Sequence, residues 1–242
     1  MTCLPHPSRF LGERDVTAVE DMDRPDCEIG RLNRSYARFP LVNAVVSGWR
    51  GIYSSRIKPL LTTAGPTTVL DIGCGGGDVA RSLARRATAD GYRLEITAID
   101  PDERAFHFAN SAPPVQGVSY QRALSSELVT EGLKFDVVIS NHVLHHLTSA
   151  ELADFLHDSE QLCHRLALHN DLTRSRLAYA LFWGGSWPLG IGSYIHGDGL
   201  TSIRRSYTAP ELSAATPPAW MVEPSGLWHN LLVYRPGEVH DV

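Results

Sequence analysis

Short apolar runs alternate with amphipathic stretches along the middle of the chain. Runs rich in β-branched and aliphatic residues, each stopped by glycine or polar residues, predict buried strands. They cover 67–72, 94–99, 135–140 and 166–169, and two closing strands are predicted over 220–223 and 228–234. Helical periodicity follows over 78–89, after Asp100-Pro101 through about 110, over 151–162 and after Thr208. This alternation predicts an α/β fold with a doubly wound, mostly parallel sheet.

Two segments fall outside the alternation. From 32 to 61 the apolar residues recur at threes and fours, which predicts helices, and Pro40 should divide them. Residues 172–207 form an insertion after the fourth run. We therefore predict an N-terminal arm and helical cap over 1–65 and a doubly wound domain over 66–242, with a second cap element at about 172–207. The first thirty residues show no periodicity and are expected to be mobile.

Composition excludes several classes of protein. The chain has 242 residues, of which 43% are hydrophobic and 20% are charged, as in a soluble globular protein. A formal charge of −5 disfavours a nucleic-acid partner. The longest uncharged stretch, 177–195, is broken by glycine and proline, so no membrane span is expected. Four scattered cysteines and a start without an apolar leader favour a cytoplasmic protein with reduced thiols.

The turn after the first predicted strand carries the main chemical signal. Residues 71–78 read DIGCGGGD, and glycines between a strand and a helix let a ligand lie close to the main chain. Dinucleotide dehydrogenases have a similar turn. Here, however, Asp71 and Asp78 flank the glycines, and a carboxylate at a helix start repels a pyrophosphate. A cationic ligand without a phosphate therefore suits this turn better.

This turn resembles the E/D-x-G-x-G-x-G motif of class I S-adenosylmethionine-dependent methyltransferases. Asp71 and the glycines at 73, 75 and 77 match it, and the resemblance extends over about 66–171. It implies a Rossmann-like methyltransferase fold with a seven-stranded sheet. It also implies that S-adenosyl-L-methionine is the cofactor and that the loop wraps its methionine end.

Further positions match the family in part. Asp100 stands where the family has an acid that accepts both ribose hydroxyls, a task that suits a carboxylate because it has two acceptor oxygens. No acid lies in 120–125, so the backbone at Ala123 and Leu124 is expected to contact adenine. The resemblance implies cofactor-binding roles for Asp71, Gly73, Cys74, Gly75, Asp78, Asp100, Pro101, Ala123, Leu124, Asn141 and His142.

Three histidines after the third apolar run are candidates for catalysis. A hydroxyl acceptor must lose a proton, and His142 or His145 could act as the base or orient the acceptor. Packing is the alternative for each, and above all for His146. The H-x-x-H-H spacing could gather imidazoles around a metal. We nevertheless expect no metal, because the strand ends in Ser140-Asn141, without the Asp of Mg²⁺-dependent catechol enzymes.

Acceptor contacts are expected from the next strand and the insertion. Asp171, Arg174 and His196 are candidates, although Arg174 could instead pair with Asp171, and His196 could belong to a plain turn. The aromatic segment 177–195 could pack in the core or cover the pocket, and a covering role would imply an apolar acceptor.

The predicted function is O-methylation of a small hydrophobic acceptor in secondary metabolism. The acceptor is expected to be an aromatic or polyketide-like hydroxylated compound. C- or N-methylation of a small metabolite, an NAD-linked oxidoreductase and a non-catalytic nucleoside-binding module are the alternatives. The oligomeric state, monomer or homodimer, is left open.

Overall fold

One seven-stranded sheet organises residues 10–237, the part of the chain that this computed structural model describes. The strands are β1 (Thr67–Ile72), β2 (Leu94–Ile99), β3 (Val118–Gln121), β4 (Phe135–Asn141), β5 (Cys163–Leu172), β6 (Trp220–Ser225) and β7 (His229–Tyr234). Their spatial order is β3-β2-β1-β4-β5-β7-β6. The first five are parallel, whereas β7 is antiparallel to both β5 and β6. The predicted doubly wound, mostly parallel sheet is confirmed.

Helices cover both faces of the sheet. They are α1 (Ile29–Val46), α2 (Trp49–Ile52), α3 (Asp78–Ala89), α4 (Glu103–Ser111), α5 (Ser125–Thr130), α6 (Ser149–Leu162), α7 (Arg176–Gly185), α8 (Trp187–Gly190), α9 (Ile195–Arg205) and α10 (Ala209–Ala215). Strand side chains alternate between two buried clusters, so that Val69 packs on one face and Leu70 on the other. Among residues 10–237, no helix combines the length and the apolar character that crossing a membrane requires.

The sheet topology places the candidate site. β1 and β4 are neighbours in space, although β2 and β3 lie between them in the chain. The chain therefore winds away from this pair in opposite directions, and the loops after β1 and β4 border a crevice at the carboxyl edge. Asp71 near the end of β1 pairs in register with Ile139 of β4. The glycine turn and Asn141 consequently share one edge of the sheet.

The predicted division of the N-terminal helix at Pro40 is wrong. α1 continues unbroken through Pro40 and ends before Gly48, whose φ is +69°. Pro40 cannot donate a hydrogen bond to the carbonyl of Tyr36. The ring lies on the exposed side of the helix, so water can reach this part of the backbone and the helix tolerates the proline.

Residues 10–30, the described part of the segment expected to be mobile, make long-range contacts, and their mobility stays a prediction. Glu20 is buried, and the backbone N–H groups of Asp21 and Met22 donate to the carboxylate of Asp198 in α9 at 2.8 and 3.0 Å. These contacts join segments that are far apart in the chain, so local periodicity could not reveal them. Residues 1–9, which include Cys3, lie outside the described residues.

The insertion is helical and divides its apolar residues between two environments. Phe182 and Ile195 face a cavity, whereas Trp183 and Trp187 are largely exposed.

The apolar pattern did not predict the short strand β3. This strand lies at the edge of the sheet, and its residues alternate between half-buried and exposed. The proposed boundary between the N-terminal cap and the sheet domain remains a prediction.

Candidate active site

The glycine turn after β1 adopts a backbone that needs glycine. Gly73, Gly75 and Gly77 have φ values of +70°, +51° and +72°. A Cβ at Gly77 would lie 2.5 Å from the Tyr120 ring. The N–H groups of Gly73 and Cys74 both donate to the carbonyl of Ile99 at 2.8 and 3.0 Å, which ties the turn to β2. The turn is therefore a fixed, close-packed surface with little side-chain cover.

Three carboxylates surround this turn. Asp71 is buried, and its Oδ2 has no hydrogen-bond partner among residues 10–237. Burial, and then the neighbouring Asp78 and Asp100, raise the pKa of Asp71 well above its usual range. Burial also raises the pKa values of Asp78 and Asp100. A cationic group placed among them would favour their ionised forms, so this donor set fits the positively charged end of S-adenosylmethionine.

Asp100 is held in a fixed position at the end of β2. Its Oδ2 accepts the N–H of Gly75 at 2.8 Å, and its Oδ1 accepts the N–H of Asp102 at 2.9 Å. Each carboxylate oxygen can accept more than one hydrogen bond. Asp100 therefore retains acceptor capacity for a diol such as a ribose.

The turn forms the polar end of a cavity of about 460 Å³. Apolar residues from α1, β5 and the insertion line other parts of it, namely Tyr36, Phe39, Val42, Val46, Leu172, Phe182 and Ile195. Nine predicted cofactor residues line the same cavity: Asp71, Gly73, Cys74, Gly75, Asp78, Asp100, Pro101, Asn141 and His142. Ala123 and Leu124 are not among its lining residues. Ala123 packs against the core, and Leu124 is half exposed.

Asn141 and His142 leave β4 with their side chains fixed by other elements. Oδ1 of Asn141 accepts the indole N–H of Trp49 at 2.8 Å and the amide of Asn170 at 2.9 Å. His142 has a φ of +59°, unusual for a residue with a side chain, and its N–H donates to the carbonyl of Asn170 at 2.9 Å. This turn directs His142 away from the histidines that follow, so the three do not share one helical face.

The ring of His142 lies edge to edge with that of His229 from β7, in nearly the same plane. The two Nε2 atoms lie 2.8 Å apart, so one donates and the other accepts. Burial, and then His229, lower the pKa of His142 to about 3. Burial lowers the pKa of His229 to about 4. Both imidazoles are therefore neutral at pH 7.

His145 lies between two buried carboxylates. Its Nδ1 and its backbone N are each 2.7 Å from an oxygen of Asp171, and its Nε2 is 3.3 Å from Oε1 of Glu20. Burial opposes the charge on this imidazole, but Asp171 and Glu20 outweigh it and raise the pKa to about 10. His145 is consequently protonated at neutral pH, which opposes its expected role as a base.

The predicted acceptor-binding residues are dispersed. Asp171 is buried against His145. Arg174 pairs with Glu211 at 2.5 Å and donates to the carbonyl of Ser206 at 2.7 Å, so it contacts neither Asp171 nor the cavity. His196 lies 2.7 Å from the hydroxyl of Ser186 and borders a separate cavity of about 310 Å³. The structure therefore does not gather these residues into one acceptor site.

Several cavity residues were missed by sequence reasoning. Glu20 and Asp23 reach the cavity from the N-terminal arm, and His229 holds His142 from the last strand. None of them belongs to a local motif. Only the fold shows that Glu20 is unusual, because its side chain is 3% exposed within a segment that is otherwise mostly exposed or half-buried.

Comparison with known proteins identifies the middle of the chain. Residues 69–165 match the family described as "Methyltransferase domain". The middle of the chain is therefore similar to known methyltransferase domains. Ubiquinone biosynthesis O-methyltransferase of Rhizobium etli is 34% identical over 86 residues, 35% of this chain and 32% of the relative. The same enzyme of Caulobacter vibrioides is 36% identical over 98 residues, 39% of this chain and 36% of the relative.

The matched part of the chain thus spans about a third of the length of these curated relatives, 32% of the Rhizobium protein and 36% of the Caulobacter protein. The methyltransferase fold itself extends further. Plantazolicin methyltransferase BpumL in complex with SAH aligns with a TM-score of 0.61 at 14% identity, over 89% of this chain and 92% of that one. Human N-acetylserotonin methyltransferase in complex with SAM aligns with a TM-score of 0.60 at 15% identity, over 87% and 57%. These structures share the fold of this chain.

Proposed function

We propose that this chain transfers the methyl group of S-adenosyl-L-methionine to a hydroxyl of a small, largely apolar acceptor. The observation that carries the proposal is the fixed glycine turn, bordered by one buried and two half-buried carboxylates in a cavity that also has an apolar lining. When bound, the cofactor supplies an activated methyl group for an in-line displacement, in which positioning does most of the work.

The residues around the turn divide the task of holding the cofactor. Asp100, with both oxygens anchored by backbone N–H groups, accepts the ribose hydroxyls. The positive-φ glycines allow the main chain to approach the methionine end. Asp71 and Asp78 offset its positive charge, and the amide of Asn43 donates to Oδ2 of Asp78 at 3.0 Å and fixes it there. Trp49 fixes Asn141 beside them in the same way.

An apolar, hydroxylated acceptor is supported by the remaining cavity lining. Phe39, Val42 and Phe182 offer contacts to an aromatic or aliphatic body, as in most small-molecule sites. The curated relatives are named as O-methyltransferases of ubiquinone biosynthesis, which favours oxygen over carbon or nitrogen as the methylated atom. The Rossmann-like NAD alternative is not favoured, because the carboxylate of Asp78 begins α3, where a pyrophosphate would bind.

His142 is the residue we propose as base or acceptor-orienting group. It lines the cavity, is neutral at pH 7, and has Nε2 fixed by His229. When Nε2 donates to His229, Nδ1 is the unprotonated nitrogen and can receive a hydroxyl proton. A pKa held at about 3 makes it a weak base, so its main contribution is to orient the acceptor oxygen.

Calorimetry tests the cofactor assignment first. Purified protein is titrated with S-adenosylhomocysteine and, separately, with NADH. Binding of the first and not of the second is expected. If folded protein binds NADH and gives no heat with S-adenosylhomocysteine, the proposed function is refuted.

A panel of hydroxylated, amino and activated-carbon acceptors then tests the reaction. For the best hydroxylated acceptor, His142→Gln should lower kcat by about 100-fold, the lower end for loss of an acid–base group. The matched control is His107→Gln at an exposed histidine. Unchanged turnover in His142→Gln would remove the proposed role of His142. Methyl transfer to amines or carbon alone would favour the alternative reactions.

A further inference from the structure

A second group of ligand atoms lies in the same cavity, apart from the glycine turn. Nε2 of His145 is 3.3 Å and Nε2 of His146 is 3.8 Å from Oε1 of Glu20. All three atoms lie within 4.8 Å of one another. Ligands about 2.0–2.1 Å from a tetrahedral zinc ion are about 3.4 Å apart. The observed spacing therefore needs little adjustment to surround one small cation.

Each imidazole is held from its far side by a separate carboxylate. Nδ1 of His145 is 2.7 Å from Oδ1 of Asp171, and Nδ1 of His146 is 3.1 Å from Oδ2 of Asp23. Histidines that ligate metals usually have such an outer partner, which fixes the ring and leaves the other nitrogen for the ion. Both rings are therefore oriented with Nε2 toward Glu20.

The nitrogen at the centre of the group is not satisfied by the protein. Nε2 of His145 is fully buried and makes no hydrogen bond of acceptable geometry within residues 10–237. In the ion-free protein this nitrogen carries a proton that faces Glu20 across 3.3 Å, and a bound ion would take the place of that proton. Glu20 is buried too, and the hydroxyl of Ser202 donates to its Oε1 at 2.8 Å, which fixes the carboxylate beside the imidazole. Buried polar atoms nearly always have a partner. An unpartnered nitrogen aimed at an anchored carboxylate thus indicates a place for a cation.

We propose that Glu20, His145 and His146 bind a divalent transition-metal ion, with Zn²⁺ as the best match. Two imidazoles and one carboxylate are a ligand set of zinc sites that leave one coordination position open. Such sites are found where a substrate oxygen or water must be polarised. The H-x-x-H-H spacing could have gathered three imidazoles around a metal. In the structure His142 pairs with His229 instead, and the third ligand is the carboxylate of Glu20.

The three ligands also border the cavity that holds the proposed cofactor residues. The open position of the ion would accordingly face the space for the acceptor. An acceptor hydroxyl bound there would be easier to deprotonate, because a metal ion stabilises the oxyanion. This role rests on the proposed function, whereas binding of the ion does not.

The test measures metal uptake by the full-length, tag-free protein. After treatment with EDTA and dialysis, the protein is titrated with ZnCl₂ by calorimetry and with CoCl₂ by visible absorption. One ion per chain is expected, with a Co²⁺ spectrum of low-symmetry coordination. His146→Gln is the main variant, because His146 is 31% exposed and its replacement leaves the core intact. Glu20→Gln removes the shared carboxylate charge at nearly constant volume.

Both variants should lose the site, and Asp23→Asn should weaken it by about 10–100-fold, as for other outer-sphere changes. His107→Gln is the matched control, since His107 is also paired with a carboxylate, Glu103 at 3.3 Å, but has no second imidazole. It should bind Zn²⁺ as the wild type does. Circular dichroism verifies that each variant is folded.

The proposal is overturned if the wild type takes up no stoichiometric ion, or if folded His146→Gln and Glu20→Gln bind Zn²⁺ as tightly as the wild type. The cluster would then be a buried network of ion pairs. Titration of the same samples with S-adenosylhomocysteine separates the two proposals. Loss of nucleoside binding with an intact metal site would refute the proposed function alone.

Discussion

Replacing Gly77 by Ala tests whether the shape of the turn depends on a missing side chain. Gly77 has a φ of +72°, and a Cβ there would lie 2.5, 2.7 and 2.8 Å from three atoms of Tyr120. Gly91 provides the matched control. Its φ is +81°, but a Cβ would meet nothing within 4 Å. The two substitutions therefore share the backbone cost and differ in the steric one.

The expected losses of unfolding free energy follow from these two terms. A left-handed backbone at a residue with a side chain costs about 1–2 kcal/mol, which is the whole effect for Gly91→Ala. Overpacking against Tyr120 adds about 1–3 kcal/mol for Gly77→Ala. Tyr120 cannot move freely, because its hydroxyl accepts a hydrogen bond from Arg81 at 2.8 Å. Gly77→Ala should therefore lose about 2–5 kcal/mol.

Urea unfolding of both variants measures the difference. A double-mutant cycle with Tyr120→Ala should recover a coupling energy of about 1–3 kcal/mol, because removing the ring removes the clash. In calorimetry, Gly77→Ala should also weaken S-adenosylhomocysteine binding by about tenfold or more, or 1.4 kcal/mol, whereas Gly91→Ala should not. Equal losses of stability at the two glycines, with no coupling to Tyr120, would refute the argument.

Three further predictions concern charge. Asp100→Asn places an amide against backbone N–H donors and should weaken S-adenosylhomocysteine binding by about 10–100-fold, as expected for one charged hydrogen bond; an unchanged Kd would contradict it. Below pH 6.5 the unfolded chain protonates its histidines first, whereas burial holds three folded-state pKa values at about 3 or 4, so the contribution of each to stability should fall by up to about 1.4 kcal/mol per pH unit. These histidines are His142, His169 and His229. Urea unfolding at pH 7 and 5 checks this by comparing the wild type with His169→Gln, whose loss of stability between the two pH values should be smaller; an equal loss would contradict it. Arg174→Met should cost about 1–3 kcal/mol of stability through lost bonds to Glu211 and the backbone, while calorimetry shows unchanged nucleoside affinity; a large loss of affinity would return Arg174 to the binding site.

Local pattern was sufficient for the elements on which the fold depends. β1 and α3 begin and end where the apolar run, the glycines and the helical periodicity predict. The turn between them could be recognised because its requirement is local: it needs residues without a side chain, and Asp71 lies just before it. The seven-stranded sheet, in contrast, was expected from the family resemblance, because the local pattern missed β3.

Other features depended on partners far away in the chain. The course of α1 through Pro40 and the burial of Glu20 are set by exposure and by contacts with α9, which no sequence window contains. His142 and His145 are three residues apart, yet burial leaves one neutral and two carboxylates keep the other charged.

The sequence by itself determined the alternation of strands and helices and the composition of the cofactor turn, since both arise from hydrophobic periodicity and backbone freedom over a few residues. The tertiary structure alone decided which histidine can accept a proton and which one is kept protonated by two carboxylates. Protonation depends on burial and on charges within a few ångströms, and in this chain those charges come from Glu20 and Asp171, which are far apart in the sequence.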